Sequence, residues 1–365
     1  MSKAATCEGS GAAIGRWRLP AVMAFFALVL ASLAPAPASA DDDRRLRVMN
    51  QNLYAGSFFQ EINAAKTPSE IIAAATLTYQ HIVATRPAER AAVIAGEIAR
   101  LRPDFVSLEQ AAILRTGTAA PATAVTFDLL QTLLHELAAR GVRYKTVAVT
   151  PGVDAEAPTA LGFNIRLTLR DAMIVRADLL EEGHVTLSNL QVRHYIAASN
   201  DTEGYATIDV SWRGRQFRFV TTHFALVSLA PAQALEFVQT AANTTLPVVL
   251  VCDCNVNPDN PADPIFQNFP AYLLLKNAGF VDAFRTAHPT DPGFTFGQAE
   301  DLLNVTSTMS HRVDIVQFRG PFTVKDAQVV GASPADRLPL GLWPSDHAGV
   351  VVTLELPDDH HGGHD

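Results

Sequence analysis

The chain has 365 residues, 48% hydrophobic and 18% charged, with a formal net charge of −9. That balance describes a protein with an ordinary apolar core and argues against bulk disorder and against a basic clamp for nucleic acid. A polyanionic substrate stays open, because a bound divalent cation can supply the missing positive charge locally.

The first 40 residues stand apart. Arg16 and Arg18 form a basic start, residues 19–34 are apolar, and Ala38-Ser39-Ala40 precede Asp41-Asp42-Asp43. The apolar run falls short of the ~20 residues a spanning helix needs, and Pro20, Pro35 and Pro37 flank it. Residues 1–40 therefore read as a signal peptide cleaved after Ala40, with the protein secreted or periplasmic and without a stable membrane span. Removing Lys3, Arg16, Arg18 and Glu8 leaves 25 basic and 36 acidic residues, a net charge of −11. Cys7 leaves as well, so Cys252 and Cys254 cannot form a disulfide framework, and their spacing is not a zinc pair. They read as two small apolar fillers on one strand face, with a local disulfide as the alternative.

A first strand is expected over 46–52, ending in Gln51-Asn52. Thr67-Pro68-Ser69-Glu70 has the cap, first-turn proline and returning glutamate of a capping box, which starts a helix running to about His81. Pro87 opens another, with Ile94, Ile98 and Leu101 on one face and Pro103 closing it. A short apolar strand over 105–108 then ends in Glu109, and Leu129, Leu130, Leu133, Leu134 and Leu137 stripe a third helix before Gly141. Strands are expected over 142–149, 172–176 and 205–212; Arg213-Gly214 makes a turn into a strand over 216–222, with His223 at its end. A helix from Pro231 to about Asn243 precedes the continuous apolar run 247–251, which ends in Asp253 and Asn255. By alternation those two side chains share one face and Cys252 and Cys254 the other. A short helix over 271–277 and strands over 312–318 and 349–356 follow, with Asp314, Asp346 and His347 at or near strand starts. Interleaved strands and helices without a dividing linker indicate one α/β domain over 41–357, and the His/Asp-rich residues 358–365 read as a disordered tail.

The polar residues at strand ends form one set: Asn52, Glu109, His223, Asp253, Asn255, Asp314, Asp346 and His347. Carboxylates, imidazoles and amides in that proportion suit a hard cation and a phosphate ester. Taken singly, each has a plainer reading: Asp253-x-Asn255 as a turn, Ser345-Asp346-His347 as a cap, Glu109 as a solvated helix acid, Asp314 as a partner for Arg312.

Their order is more informative. Asn52, Leu108-Glu109-Gln110, Thr222-His223, Asp253-x-Asn255, Arg312-x-Asp314 and Ser345-Asp346-His347 resemble, in that sequence, the motif blocks of the endonuclease/exonuclease/phosphatase superfamily, across residues 48–356. The resemblance implies a four-layer α/β/β/α sandwich, two mixed sheets flanked by helices. It implies magnesium, with manganese or calcium as alternatives, held by Glu109 with Asn52 and Asp346. It also implies that Asp314 orients His347 to deprotonate the attacking water, that Asp253 and Asn255 position water and phosphoryl group, and that His223 and Asn52 contact the phosphate or leaving group. The substrate class is then a phosphate ester of nucleic acid, phospholipid or inositol phosphate, and no obligate protein partner is implied. Two departures stand out: the family's usual Gly-Asp-x-Asn block is Cys252-Asp253-Cys254-Asn255 here, and the long stretch between Asn52 and Glu109 carries an extra helix. Arg166, Arg170 and Arg176 are candidates for a basic groove, and Phe58-Phe59 for a membrane-facing loop, each against an ordinary surface or core role. A silent binding protein or an adhesion module remain the non-enzymatic readings.

Overall fold

The chain runs through strand β1 (Arg45–Asn52) and helices α1 (Gln60–Ala64), α2 (Pro68–Ala84) and α3 (Pro87–Leu101) into β2 (Phe105–Glu109), β3 (Ile113–Gly117) and β4 (Ala124–Asp128). Helix α4 (Leu129–Ala139) leads to the long hairpin β5 (Tyr144–Pro158) and β6 (Asn164–Arg176), then α5 (Ala177–Glu181), β7 (Val185–His194), β8 (Gly204–Trp212) and β9 (Arg215–His223). The remainder is α6 (Ala230–Gln239), β10 (Val248–Asp253), α7 (Phe269–Asn277), β11 (Val281–Asp282), α8 (Ala283–Ala287), β12 (Asp314–Arg319), β13 (Thr323–Val330) and β14 (Gly349–Glu355). This computed structural model describes residues 44–197 and 203–357, so the expected signal peptide and tail lie outside the described residues.

Local chemistry explains where the helices start and stop. The expected capping box begins α2: Thr67 Oγ1 accepts from the Glu70 amide, the Glu70 carboxylate accepts from the Thr67 amide, and Pro68 fills the first turn. Asp128 caps α4 by accepting from the Gln131 amide. Helix α6 ends at Gln239, short of the expected Asn243. Thr240 there turns its hydroxyl back onto the Glu236 carbonyl at 2.7 Å, and the chain folds into tight turns.

Among the described residues, fourteen strands form two mixed sheets. The eight-stranded sheet has the order β13-β14-β1-β2-β6-β3-β4 with β5 on β6, and the six-stranded sheet the order β11-β12-β10-β9-β8-β7. Each holds one parallel pair, β1–β2 and β9–β10, among antiparallel neighbours. The sheets face each other across an apolar seam of Leu46, Val48, Phe105 and Val175 from one and Phe217, Phe219, Val249, Val251 and Val316 from the other. Ile94, Ile98, Leu133 and Leu137 of α3 and α4 cover the outer face of the first sheet through Met49 and Val106. Phe237 and Leu275 of α6 and α7 cover the second through Val220 and Leu250. The expected α/β/β/α sandwich is therefore the observed architecture.

Arg90 of α3 ties this frame to the site described below. Its buried guanidinium donates to the carbonyls of Thr85, Leu53 and Tyr54 at 2.8 Å each and of Pro344 at 3.0 Å, and lies 5.3 Å over the Tyr54 ring. It thereby joins the loop after β1 to the segment that delivers Asp346 and His347. Arg90→Met leaves four buried carbonyls without their donor, and at ~1–3 kcal/mol for each unsatisfied group, softened by relief of the buried charge, the expected loss is about 3 kcal/mol. Urea unfolding measures it; a loss under about 1 kcal/mol would contradict this bracing role.

Candidate active site

Side chains alternate along a strand, so every second residue of the central strands faces the seam. Reading inward-facing positions toward one edge gives Val48, Asn50, Asn52 on β1; Phe105, Ser107, Glu109 on β2; Val175, Met173, Asp171 on β6; Phe219, Thr221, His223 on β9; Val249, Val251, Asp253 on β10; and Phe318, Val316, Asp314 on β12. All turn from apolar to polar at the same edge. Register completes the alignment: Asn52 pairs with Glu109 in one sheet, and Asp253 lies between His223 and Asp314 in the other.

His347 and Asp314 form the tightest pair, with Nδ1 2.9 Å from Oδ2. Asn50 Nδ2 donates to the other Asp314 oxygen at 2.8 Å, and the His347 amide donates to Ser345 Oγ at 3.1 Å. Phe296 packs on the imidazole with ring centroids 4.8 Å apart. With Nδ1 facing a carboxylate, its proton sits there, and Nε2 is left to face the pocket, 3.8 Å from Asp253 Oδ2 and 4.0 Å from Asp346 Oδ2. The same Asp253 oxygen accepts from Asn52 Nδ2 at 3.0 Å and lies 3.5 Å from His223 Nε2. On its other side His223 Nδ1 is 3.7 Å from Asp171, a carboxylate that the sequence reading passed over; an inward position next to a strand register partner of β2 was the signal for it.

Glu109 is fully buried. Ser107 donates to its Oε1, while Oε2 has no hydrogen-bond partner. Burial first, then Asp171, Asp253 and Asp314, drives its carboxyl well above the ordinary carboxylate range. Asp346 is pushed up to about 6, chiefly by burial. Burial alone would lower the two imidazoles, but Asp314, Asp346 and Asp253 raise His347 to about 10, and Asp253 and Asp171 raise His223 to about 10. A pocket with this excess of carboxylate suits a hard divalent cation, and the orphaned Glu109 oxygen is the clearest available ligand. Asn52 Oδ1 accepts from the Tyr54 amide and keeps a second lone pair; Asp346 stands beside it through Ser345, whose hydroxyl reaches the Asn52 carbonyl at 2.8 Å. Ligand atoms of Asp253, Asp314 and His347 also lie within 4.8 Å of one another, but Asp314 and His347 are already committed to each other.

All eight expected residues meet at this edge, with qualifications for some routes. Strand β10 ends at Asp253, so alternation does not place Asn255: it lies beyond the strand in the left-handed region (φ 47°), its Nδ2 donating to the Phe224 carbonyl at 2.8 Å. Cys252 and Cys254 are joined in a disulfide, not separate fillers. Arg312 pairs with Asp259 and Asp282, leaving Asp314 to His347. Arg166, Arg170 and Arg176 are ion-paired with Asp154, Asp128 and Asp104, so they form no free basic groove. Phe58 packs on Tyr54, and Phe59 joins two core clusters.

No protein-family model and no curated protein matches the chain. Among solved structures, an endonuclease/exonuclease/phosphatase family protein from Leptotrichia buccalis C-1013-b is similar over 85% of this chain and 100% of its own, at 14% identity and a TM-score of 0.54. An endonuclease/exonuclease/phosphatase from Beutenbergia cavernae DSM 12333 is similar over 86% of this chain and 72% of its own, at 20% identity and TM-score 0.54. D. rerio TDP2 complexed with single strand DNA product is similar over 86% and 99%, at 14% identity and TM-score 0.51.

The electrostatics set a pH dependence. A raised imidazole contributes stability that is present below the unfolded value near 6.5 and is lost as pH climbs toward about 10. A raised carboxyl also makes the fold bind protons more tightly than the unfolded chain, so Asp346 costs stability as pH rises from 3.8 through about 6. Both signs agree. The chelator-treated protein should melt at progressively lower temperature from about pH 5 to about pH 9, and magnesium at ~100 times its dissociation constant should restore roughly 3–4 °C at about pH 8 and less at about pH 5. Glu109→Gln should lose the magnesium increment. Calorimetry checks both, and melting indifferent to magnesium at either pH would count against a cation in this pocket.

Proposed function

Proceeding from the endonuclease/exonuclease/phosphatase fold that the chain shares with these structures, we propose that it is a divalent-metal-dependent phosphoesterase, exported from the cytosol, that hydrolyses a phosphodiester with water activated by His347. The observation that carries this reading is the Asp314–His347 pair, 2.9 Å apart, with the free imidazole nitrogen facing Asp253 across a pocket that holds the unpartnered Glu109 oxygen. Magnesium, with manganese or calcium as alternatives, would be held by Glu109 with Asn52 and Asp346. When bound, it offsets charge on the phosphoryl oxygens and on the pocket's own carboxylates.

The remaining work falls to the chain. His347 in its neutral form takes a proton at Nε2 from a water between it and Asp253, and Asp314 stabilises the resulting imidazolium through Nδ1–H. A cation-free pocket keeps His347 protonated at neutral pH, so base catalysis requires the carboxylate charge to be offset first. Asp253, held by Asn52, fixes the line of attack. His223, between Asp253 and Asp171, is the imidazolium available to a phosphoryl oxygen or to the departing alkoxide. Asn255, with its amide nitrogen on the Phe224 carbonyl, would offer its oxygen side to the same water or phosphoryl group.

The D. rerio structure holds single strand DNA product, which makes nucleic acid the first substrate class to test here, ahead of phospholipids and inositol phosphates. The segment before Asp41 supports export, and no described helix is long and apolar enough to cross a membrane. A catalytically silent binding protein on the same fold is the alternative.

Hydrolysis of bis(p-nitrophenyl) phosphate and of single-stranded DNA, with magnesium and with chelator, separates the two readings. His347→Ala should lower kcat by about 10²–10⁴-fold, the range for removal of a general base, with Asp253→Asn similar and Asp314→Asn milder. Magnesium-dependent turnover that survives His347→Ala would overturn the assigned base. Tight substrate binding without turnover would favour the silent protein.

A further inference from the structure

A second group of metal-ligating side chains lies outside the pocket just described. Glu61 of α1, His81 near the end of α2 and Glu300 in the loop before β12 place one ligand atom each within 4.8 Å of one another, with His81 Nδ1 3.5 Å from Glu300 Oε1. The three come from the helical insert between Asn52 and Glu109 and from a loop some 220 positions further along, so no local sequence pattern produces the cluster.

Two atoms of these side chains make no hydrogen bond within the protein, the imidazole one having only the 3.5 Å approach to Glu300. Glu61 Oε2 and His81 Nδ1 are each shielded from solvent and have no hydrogen-bond partner, although other parts of both side chains reach the surface. A buried polar atom without a hydrogen-bond partner is destabilising, and each of these two belongs to a member of the cluster. Glu300 is held in place independently: its Oε1 accepts from Ser57 Oγ at 3.1 Å and the Phe58 amide at 2.8 Å. A cleft of about 320 Å³ lined by His81, Ala84, Ala299, Glu300 and Asp301 opens beside the group, with room for the waters that complete a coordination shell.

We propose that Glu61, His81 and Glu300 form a second divalent-metal site, of the zinc class. One imidazole and two carboxylates are a donor set for zinc, whereas magnesium and calcium favour oxygen alone. Ligands on tetrahedral zinc stand ~3.4 Å apart, so side-chain shifts of about an ångström close the site. Binding releases the proton from His81 Nδ1 if present and changes no oxidation state. The ion fastens the α1–α2 insert to the loop carrying Glu300. That loop is one step from the first pocket: the Glu300 carbonyl accepts from Tyr54 Oη at 2.8 Å, and the Tyr54 amide donates to Asn52 Oδ1 at 2.9 Å. The site is therefore a structural clip on the insert that sets the extra helix beside the active edge.

The test uses full-length chain carrying Glu109→Gln, to remove the first pocket's ligand, and His360→Ala, His361→Ala and His364→Ala, to remove tail binding. Metal-stripped protein is loaded with zinc alone, desalted, and assayed for bound zinc and for melting temperature. About one equivalent should remain, with a higher melting temperature than the stripped form. Glu61→Gln, close in volume, and His81→Ala should each abolish retention and the melting shift while leaving the circular dichroism of the stripped protein unchanged. If His81→Ala fails to fold, Glu61→Gln decides. Zinc retention that Glu61→Gln leaves intact, or no retention in the parent, overturns the proposal, and neither result bears on turnover at His347.

Discussion

Everything at the active edge depends on a seam in which two sheets meet with a period of two. Apolar side chains fill it from Leu46 and Val48 on β1 to Val249 and Val251 on β10, and the same rows continue as Asn50, Asn52 and Asp253. Because the inward positions of six strands change character at one edge, side chains distant in sequence converge there, while Asn255, Asp346 and His347 are brought in by the loops after β10 and before β14. A one-residue slip of any of these strands would turn its polar end outward and an apolar residue into the pocket. The apolar packing of the seam thus fixes the geometry of the chemistry.

Such convergence is expensive. Carboxylates buried together repel one another and lose their water, which is why Glu109 is displaced so far from its ordinary titration range. Neutral donors relieve part of the cost: Asn50 on Asp314, Ser107 on Glu109, Asn52 on Asp253. No described lysine or arginine hydrogen-bonds to these carboxylates, and Arg90, a buried cation whose charge acts on Asp346, makes its hydrogen bonds to carbonyls. The arrangement is stable as a fold yet electrostatically incomplete, a state that a functional site can hold and a purely structural network would have relaxed.

The central architecture is legible in the sequence because the strands that build it, β1, β2, β9, β10, β12 and β14, carry apolar rows, continuous in β10 and alternating in β9, with polar residues at or near one end. What escaped was peripheral. Strands β4 and β7 are largely exposed, with the alternation of β7 broken between Ser188 and Gln191, β11 has two residues, and the five-residue helices α1, α5 and α8 are too short for a stripe. Strand β6 was expected only over its buried end, 172–176, although its half-buried first part, paired with β3 and β5, carries the alternating row Ile165, Leu167 and Leu169. Asp171 was missed with it, one residue before the expected segment. Glu61 and Glu300 had no signal, since their proximity arises only when the insert folds onto a distant loop.

The departure at Cys252 shows how the seam tolerates change. A glycine at this position would permit close backbone approach, so a larger side chain there brings the site geometry into question. Alternation answers it. Val249, Val251 and Asp253 face the seam; Val248, Leu250 and Cys252 face outward and pack, together with Cys254, among Phe237, Ala271 and Leu275 beneath α6 and α7. The Cys252 side chain therefore lies on the helix side of the sheet, away from the pocket. Asp253 keeps its place between His223 and Asp314 because its neighbours' bulk is absorbed by the helical layer.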